Sequence, residues 1–330
     1  MRAESNRVMG GGPVAGRLIF ANQLRGLAAL SVAFSHLVGV FWLMRSFVGL
    51  ATFSPVQPGS PPKLVDMVSA AWFQPGPFGV AVFFLISGLV LPISLGQHSR
   101  SSFLLARLLR IYPTYLLALV IEVAVLHAAA VYWNTPFGYG NWTIAANGLL
   151  IHDLLDLPSV DLVNWTLCVE LKFYLLLALL APRIRRGDVS CLFVIALAVV
   201  ASNSAFSWLR IDATPLAQML STESVCIVFM LLGVLFNFRL RRLLSERSFL
   251  IAIFAMFALF VAAWRNGPVG NQFPLVTVNY AYALALFAIL YGLRRYVREG
   301  RFLNFAAAIS FPLYLVHSII GFVVMKLLML

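Results

Sequence analysis

The feature that most constrains this chain is a succession of apolar runs, each about as long as a bilayer is thick. A helix needs roughly 20 mostly apolar residues to cross the hydrocarbon core. Runs of that kind occupy about 24–44, 77–95, 111–131, 163–182, 189–209, 216–237, 248–264, 272–293 and 303–328. A further stretch at 143–157 is shorter and carries His152, Asp153 and Asp156, which suits a partial, re-entrant or surface helix. Hydrophobic residues make up 61% of the 330 and charged ones 11%. Soluble domains run nearer 45–50% and 25%, so too little polar surface remains to cover a particle of this size in water. The predicted fold is an all-α integral membrane protein, a single bundle of about ten transmembrane helices: nine clear spans plus one partial or re-entrant.

The net charge of +12 could suggest nucleic acid. The basic residues, however, sit in short clusters between apolar runs, the pattern that sets membrane topology. Arg2, Arg7 and Arg17 open the chain. Arg100, Arg107 and Arg110 follow the second run, Arg183, Arg185 and Arg186 the fourth, Arg239, Arg241, Arg242 and Arg247 the sixth, and Arg294, Arg295, Arg298 and Arg301 the eighth. The alternate segments hold only Arg45, Lys63, Arg210 and Arg265. The richer set is therefore expected in the cytoplasm, with the N-terminus inside and residues 1–17 a flexible arm. Nucleic acid is not an expected partner; membrane lipid is.

The three cysteines, Cys168, Cys191 and Cys226, lie singly in apolar runs and read as small buried hydrophobes. The five histidines show no zinc-ligand spacing, and no metal is expected. GxSxG, Walker, HExxH and GxGxxG motifs are absent from the sequence. The first run is too long for a signal-peptide core and is expected to remain as a helix.

Ionisable groups at membrane depth are costly and default to functional candidates. Arg25 and His36 stand eleven residues apart on the first helix, within roughly 20° of three full turns and about 16 Å along the axis. Between them lie Gly26, Ala28, Ala29, Ser31 and Val32. A permanent guanidinium suits phosphate, and an imidazole can serve as general base. A snorkelling arginine and a packed histidine explain the same pair equally well. In Asn164-Trp165-Thr166-Leu167-Cys168-Val169-Glu170-Leu171-Lys172-Phe173-Tyr174, Glu170 and Tyr174 are i,i+4 neighbours while Lys172 points elsewhere. Tyr314 and His317 are i,i+3 on the last run, after Pro312. Ser87-Gly88, inside the second run, permits close backbone approach to a helix or a ligand. Arg107 and Arg110 can form an ordinary topogenic cluster or a phosphate clamp.

These pieces occur in a fixed order: Arg25-Gly26-Leu27-Ala28-Ala29 leading to His36, FFLISG, RLLRIYP, NWTLCVELKFY and SFPLYLVH. Together they resemble the membrane-bound acyltransferase-3 family, bacterial integral membrane O-acyltransferases, over residues 18–325. The resemblance implies a transmembrane acyltransferase domain over 18–330 in a bacterial inner membrane. It implies transfer of an acyl group, commonly acetyl, from acyl-coenzyme A as co-substrate to a hydroxyl, with no permanently bound cofactor. His36 and Glu170 are the expected catalytic pair, and Arg25, Arg107 and Arg110 the expected acyl-coenzyme A ligands. Ser87, Trp165, Tyr174, Tyr314 and His317 are further site positions. The acceptor implied is a cell-surface saccharide or lipid-linked glycan, in a glycan-biosynthesis complex, with a small secreted metabolite as the alternative. A covalent acyl-enzyme on His36 or Ser87 stays open beside direct transfer. From another class, a transporter or flippase of a lipid-linked glycan would also bury Arg, His and Glu, but the sequence lacks the internal duplication common in transporters.

Overall fold

A computed structural model describes residues 18–68, 72–210 and 214–329. The arm expected at 1–17 lies outside the described residues. Among those residues the chain is helical and has no strand. In chain order the helices are α1 (Ile19–Leu43), α2 (Arg45–Ala51), α3 (Leu64–Val68), α4 (Pro75–Gln97), α5 (Arg100–Tyr132), α6 (Asn141–Gly148), α7 (Asn164–Leu179), α8 (Ala181–Arg186), α9 (Ser190–Trp208), α10 (Pro215–Leu240), α11 (Glu246–Arg265), α12 (Leu275–Gly292), α13 (Arg301–Val316) and α14 (Ile319–Leu328).

Seven helices among the described residues are long and apolar enough to cross a membrane: α1, α4, α5, α9, α10, α11 and α12. Two of the nine expected spans differ. The last, 303–328, is not one helix: α13 and α14 meet at a bend of 78°, and the pair makes an eighth span if counted as one. The fourth, 163–182, forms the 16-residue α7, short of a full span, followed by a turn and the six-residue α8. Hydropathy averages over both features because Leu180 is itself apolar and His317 and Ser318 stand between strongly apolar neighbours. The ambiguous 143–157 contributes the eight-residue α6 and then non-helical chain up to Val163.

The long helices connect two opposite ends of the bundle. At one end Arg185 donates to the carbonyls of Leu95 and His98, and Arg241 donates to the carbonyl of Arg185. At the other, Lys326 donates to Ser54 and to the carbonyl of Pro55, while Thr135 donates to the carbonyl of Phe53. The first is the arginine-rich end.

Helices α4 and α10 form the centre. In a bundle surrounded by lipid, side-chain packing rather than water exclusion holds helices together, and small residues let backbones approach. Gly88 and Gly233 face each other there: a Cβ on Gly88 would fall 2.1 Å from the Met230 carbonyl oxygen, and one on Gly233 would fall 2.4 Å from that of Leu85. Asn237 on α10 donates to the Leu89 carbonyl at 2.8 Å, fixing the register. Phe229, Phe236, Phe260, Tyr280 and Phe287 interlock α10, α11 and α12.

The non-helical stretch 149–163 is held by buried polar side chains, as irregular backbone in such a protein must be. Asn147 donates to the carbonyls of Thr143 and Pro158 and accepts from the backbone of Val160 and from Asn164. Tyr112, Tyr115 and Tyr139 donate to the carbonyls of Leu149, Asn147 and Ser159. This clamp sets where α7 begins, and α7 carries Trp165, Thr166, Glu170 and Tyr174.

Candidate active site

Two cavities lie between the central helices. The first, about 370 Å³, is lined by Asn22, Arg25, Ser87, Arg107, Arg110, Glu170, Tyr174 and Ser310 among apolar side chains. The second, about 420 Å³, is lined by Ser35, His36, Trp165, Thr222, Trp264, Gln272 and Tyr280, again among apolar neighbours. Helix α1 gives Arg25 to the first and His36 to the second. Helix α7 gives Glu170 and Tyr174 to the first and Trp165 to the second. Arg107 and Arg110 belong to the first turns of α5, so the first cavity lies toward the arginine-rich end.

Arg25 and His36 therefore do not share one cavity. Packed helices occupy the small-residue strip between them, α13 at Gly26 and α4 at Ala28, Ser31 and Val32. A Cβ on Gly79 would fall 2.7 Å from the Ala28 carbonyl oxygen and 2.7 Å from Val32, and Ser31 donates to the Pro75 carbonyl at 2.8 Å. Val80 and Tyr314 border both cavities, and the Tyr314 hydroxyl lies 3.0 Å from that of Thr166. This tyrosine–threonine contact, with Val80 and the Phe84–Trp165 pair, forms the partition.

The first cavity is strongly cationic, with three guanidiniums and one carboxylate. Glu170 accepts from the Tyr174 hydroxyl at 2.6 Å and from Ser87 at 3.3 Å. Arg25 feels the charges of Arg110 and Glu170, yet among the described residues its guanidinium makes no hydrogen bond to protein. Arg107 donates to Ser94 at 3.1 Å and lies over the Phe103 ring. Planar donors in excess of their protein partners suit a polyanionic ligand. Ser87 sits on this side, bonded to Glu170 and remote from the histidines' cavity.

His36 is the second residue of a π-helical turn, Ser35–Val40, inside α1. Such turns recur at functional sites because the extra residue re-aims a side chain. His36 meets His317 ring to ring, 2.8 Å between Nδ1 and Nε2. His317 closes α13 at the bend, and Tyr314 packs beside it at 5.8 Å between ring centroids. Trp165 packs edge-on to Phe84 across the wall.

Two groupings escaped sequence reasoning. His36 and His317 were each singled out, but nothing in the sequence pairs residues so far apart. Lys172 does point away from Glu170, and its ammonium sits 2.5 Å from Asp153 and 2.5 Å from Glu223. Burial works against charge on Asp153, but the hydrogen bond and charge of Lys172 hold its carboxyl below the usual carboxylate range. The available signal was that unpaired charges at such depth are costly, which obliges Lys172 and Glu223 to find partners.

Comparison with known proteins agrees with this architecture. Residues 18–330 match the acyltransferase-3 family, described as "Acyltransferase domain". The chain belongs to that family, and its apolar helices fit a multi-pass membrane protein. It is 33% identical over 147 residues to nodulation protein 10 of Rhizobium leguminosarum bv. viciae. That alignment covers 38% of this chain and spans 38% of the relative's length. No solved structure matches.

Proposed function

We propose that this protein moves an acyl group, acetyl in the simplest case, from acyl-coenzyme A to a hydroxyl of a cell-surface saccharide or lipid-linked glycan. The observation that carries this reading is the pair of cavities back to back, one cationic and one presenting an imidazole, with a wall one side chain thick between them. Arg25, Arg107 and Arg110 hold the coenzyme's phosphates at the arginine-rich end, which faces the cytoplasm of a bacterial inner membrane. The pantetheine arm carries the thioester past Tyr314 and Thr166. The acceptor enters the second cavity, whose aromatic and amide lining suits a polyhydroxylated ring.

His36 then takes the acceptor's hydroxyl proton as the oxygen attacks the thioester carbonyl carbon. The tetrahedral centre collapses, the carbon–sulfur bond breaks, and the imidazolium returns its proton to the leaving thiolate. Glu170, tied to Tyr174 and Ser87, keeps the arginines from repelling one another rather than touching the reacting atoms. Direct transfer is favoured over an acyl-Ser87 intermediate, because Ser87 bonds to Glu170 on the other side of the partition from the imidazoles.

Replacing Arg107 and Arg110 together by Gln tests the donor side. Each charge-assisted phosphate contact is worth about 1.5–3 kcal/mol, so coenzyme A affinity should fall by at least about tenfold in protein of unchanged thermal stability. Calorimetry on nanodisc-held protein reads this, and unchanged affinity would contradict the placement of the donor.

A further inference from the structure

The contact between His36 and His317 carries more information than proximity. The ring planes differ by 9° and the centroids are 4.9 Å apart. That separation exceeds the 2.8 Å nitrogen–nitrogen distance by nearly the two ring radii. The rings therefore meet edge to edge in one plane, as a hydrogen bond requires, and are not stacked face to face. Between two neutral imidazoles such a bond needs one N–H and one lone pair.

The far side of His317 decides which ring supplies which. Helix α13 ends at Val316 and the chain bends by 78° into α14. The last carbonyls of a helix lack intrahelical partners. His317 Nδ1 lies 2.8 Å from the Tyr314 carbonyl oxygen and 3.1 Å from that of Leu313. A carbonyl oxygen only accepts, so Nδ1 of His317 carries the hydrogen. In the neutral ring its Nε2 then holds a lone pair and accepts. The partner nitrogen, His36 Nδ1, is consequently the donor, and His36 Nε2 is left with the free lone pair, on a ring that lines the second cavity.

We infer that His317 is a positioning residue that fixes the tautomer of His36, so that the base acts through Nε2, with the helix-end carbonyls of Leu313 and Tyr314 as the anchor. The arrangement is the base-and-orienter logic of acyl-transfer sites, with a neutral imidazole where a carboxylate is more usual. The bend between α13 and α14 acquires a role, since it frees the carbonyl that orients the chain of hydrogen bonds. The inference rests on His36 being the base for its catalytic consequence, whereas the tautomer itself is a property of the resting protein.

Nitrogen-15 NMR of histidine-labelled protein in nanodiscs reads that tautomer without any turnover. The two signals are assigned by their loss in His36→Asn and His317→Phe. The expected result is a neutral His36 protonated at Nδ1, the minority form of free histidine, and a His317 also protonated at Nδ1. In His317→Phe, which keeps a ring and removes the acceptor, kcat should fall by roughly 10²–10⁴-fold, up to the full contribution of the base it positions, with little change in the KM for acyl-coenzyme A. His317→Gln, whose side-chain oxygen can accept from His36, should recover most of the loss. Finding His36 protonated at Nε2 in the wild type overturns the inference, even in protein that shows no turnover. Equal kcat for the Phe and Gln variants overturns it as well.

Discussion

Replacing His36 with alanine is expected to lower kcat by roughly 10²–10⁴-fold, the usual contribution of a positioned general base, while coenzyme A binding stays near the wild-type value. The two effects separate because the imidazole and the arginines line different cavities. A hydroxyl acceptor is a poor nucleophile unless its proton leaves as it attacks. His36, backed by His317, is the group in the second cavity best placed to receive that proton. The substitution leaves no buried charge, and although His317 Nε2 loses its partner at a cost of about 1–3 kcal/mol, turnover and binding can be compared in folded protein. A His36→Ala protein that retained turnover would remove the base from the account.

The largest effect on stability is expected at Lys172, away from both cavities. Its ammonium holds Asp153 and Glu223, whose side chains are only 7% and 6% exposed. The three residues tie the non-helical stretch, α7 and α10 to one another. Lys172→Met keeps length and apolar volume but leaves two buried carboxylates without their cation. Removing one partner of a buried ion pair costs about 3–5 kcal/mol. Lys172 is itself 28% exposed, which places the loss toward the lower end. Adding Asp153→Asn and Glu223→Gln should restore most of the stability, since the uncompensated charge is then gone. Thermal denaturation in detergent measures both, and a triple variant no more stable than the single one would show that the charge is not what matters.

The contrast between these two sites indicates what a single sequence can reveal. Arg25, His36, Glu170, Lys172 and His317 stood out because charge among apolar residues is costly, and the structure shows each of them in a specific polar setting. Their partnerships were not legible. Glu170 with Tyr174 was, because i,i+4 geometry lies within one helix. His36 with His317, and Lys172 with Glu223, require knowing which helices are neighbours, and helical periodicity carries no such information. The irregularities that shape the site were equally silent. The π-helical turn at Ser35–Val40 and the bend after Val316 both interrupt continuous apolar runs, and hydropathy averages across them. Pro312 marks the last run as interruptible, but the bend falls five residues later, where His317 and Ser318 give no turn signal. The strip between Arg25 and His36 illustrates the same limit. Its small residues give no sign in the sequence of what covers them, and in the fold they are the surface on which α4 and α13 pack.

In the proposed reaction the cationic cavity takes an acyl-coenzyme A and the imidazole cavity takes the hydroxyl that receives the acyl group. The measurement that tests it most directly is transfer of isotopically labelled acetyl from acetyl-coenzyme A by purified protein in nanodiscs, with a panel of saccharide and lipid-linked acceptors and with longer acyl donors. Coenzyme A release that a hydroxyl acceptor stimulates is expected, with the label recovered as an ester on that acceptor. Folded protein that releases no coenzyme A from any acyl donor, with or without acceptor, would contradict it.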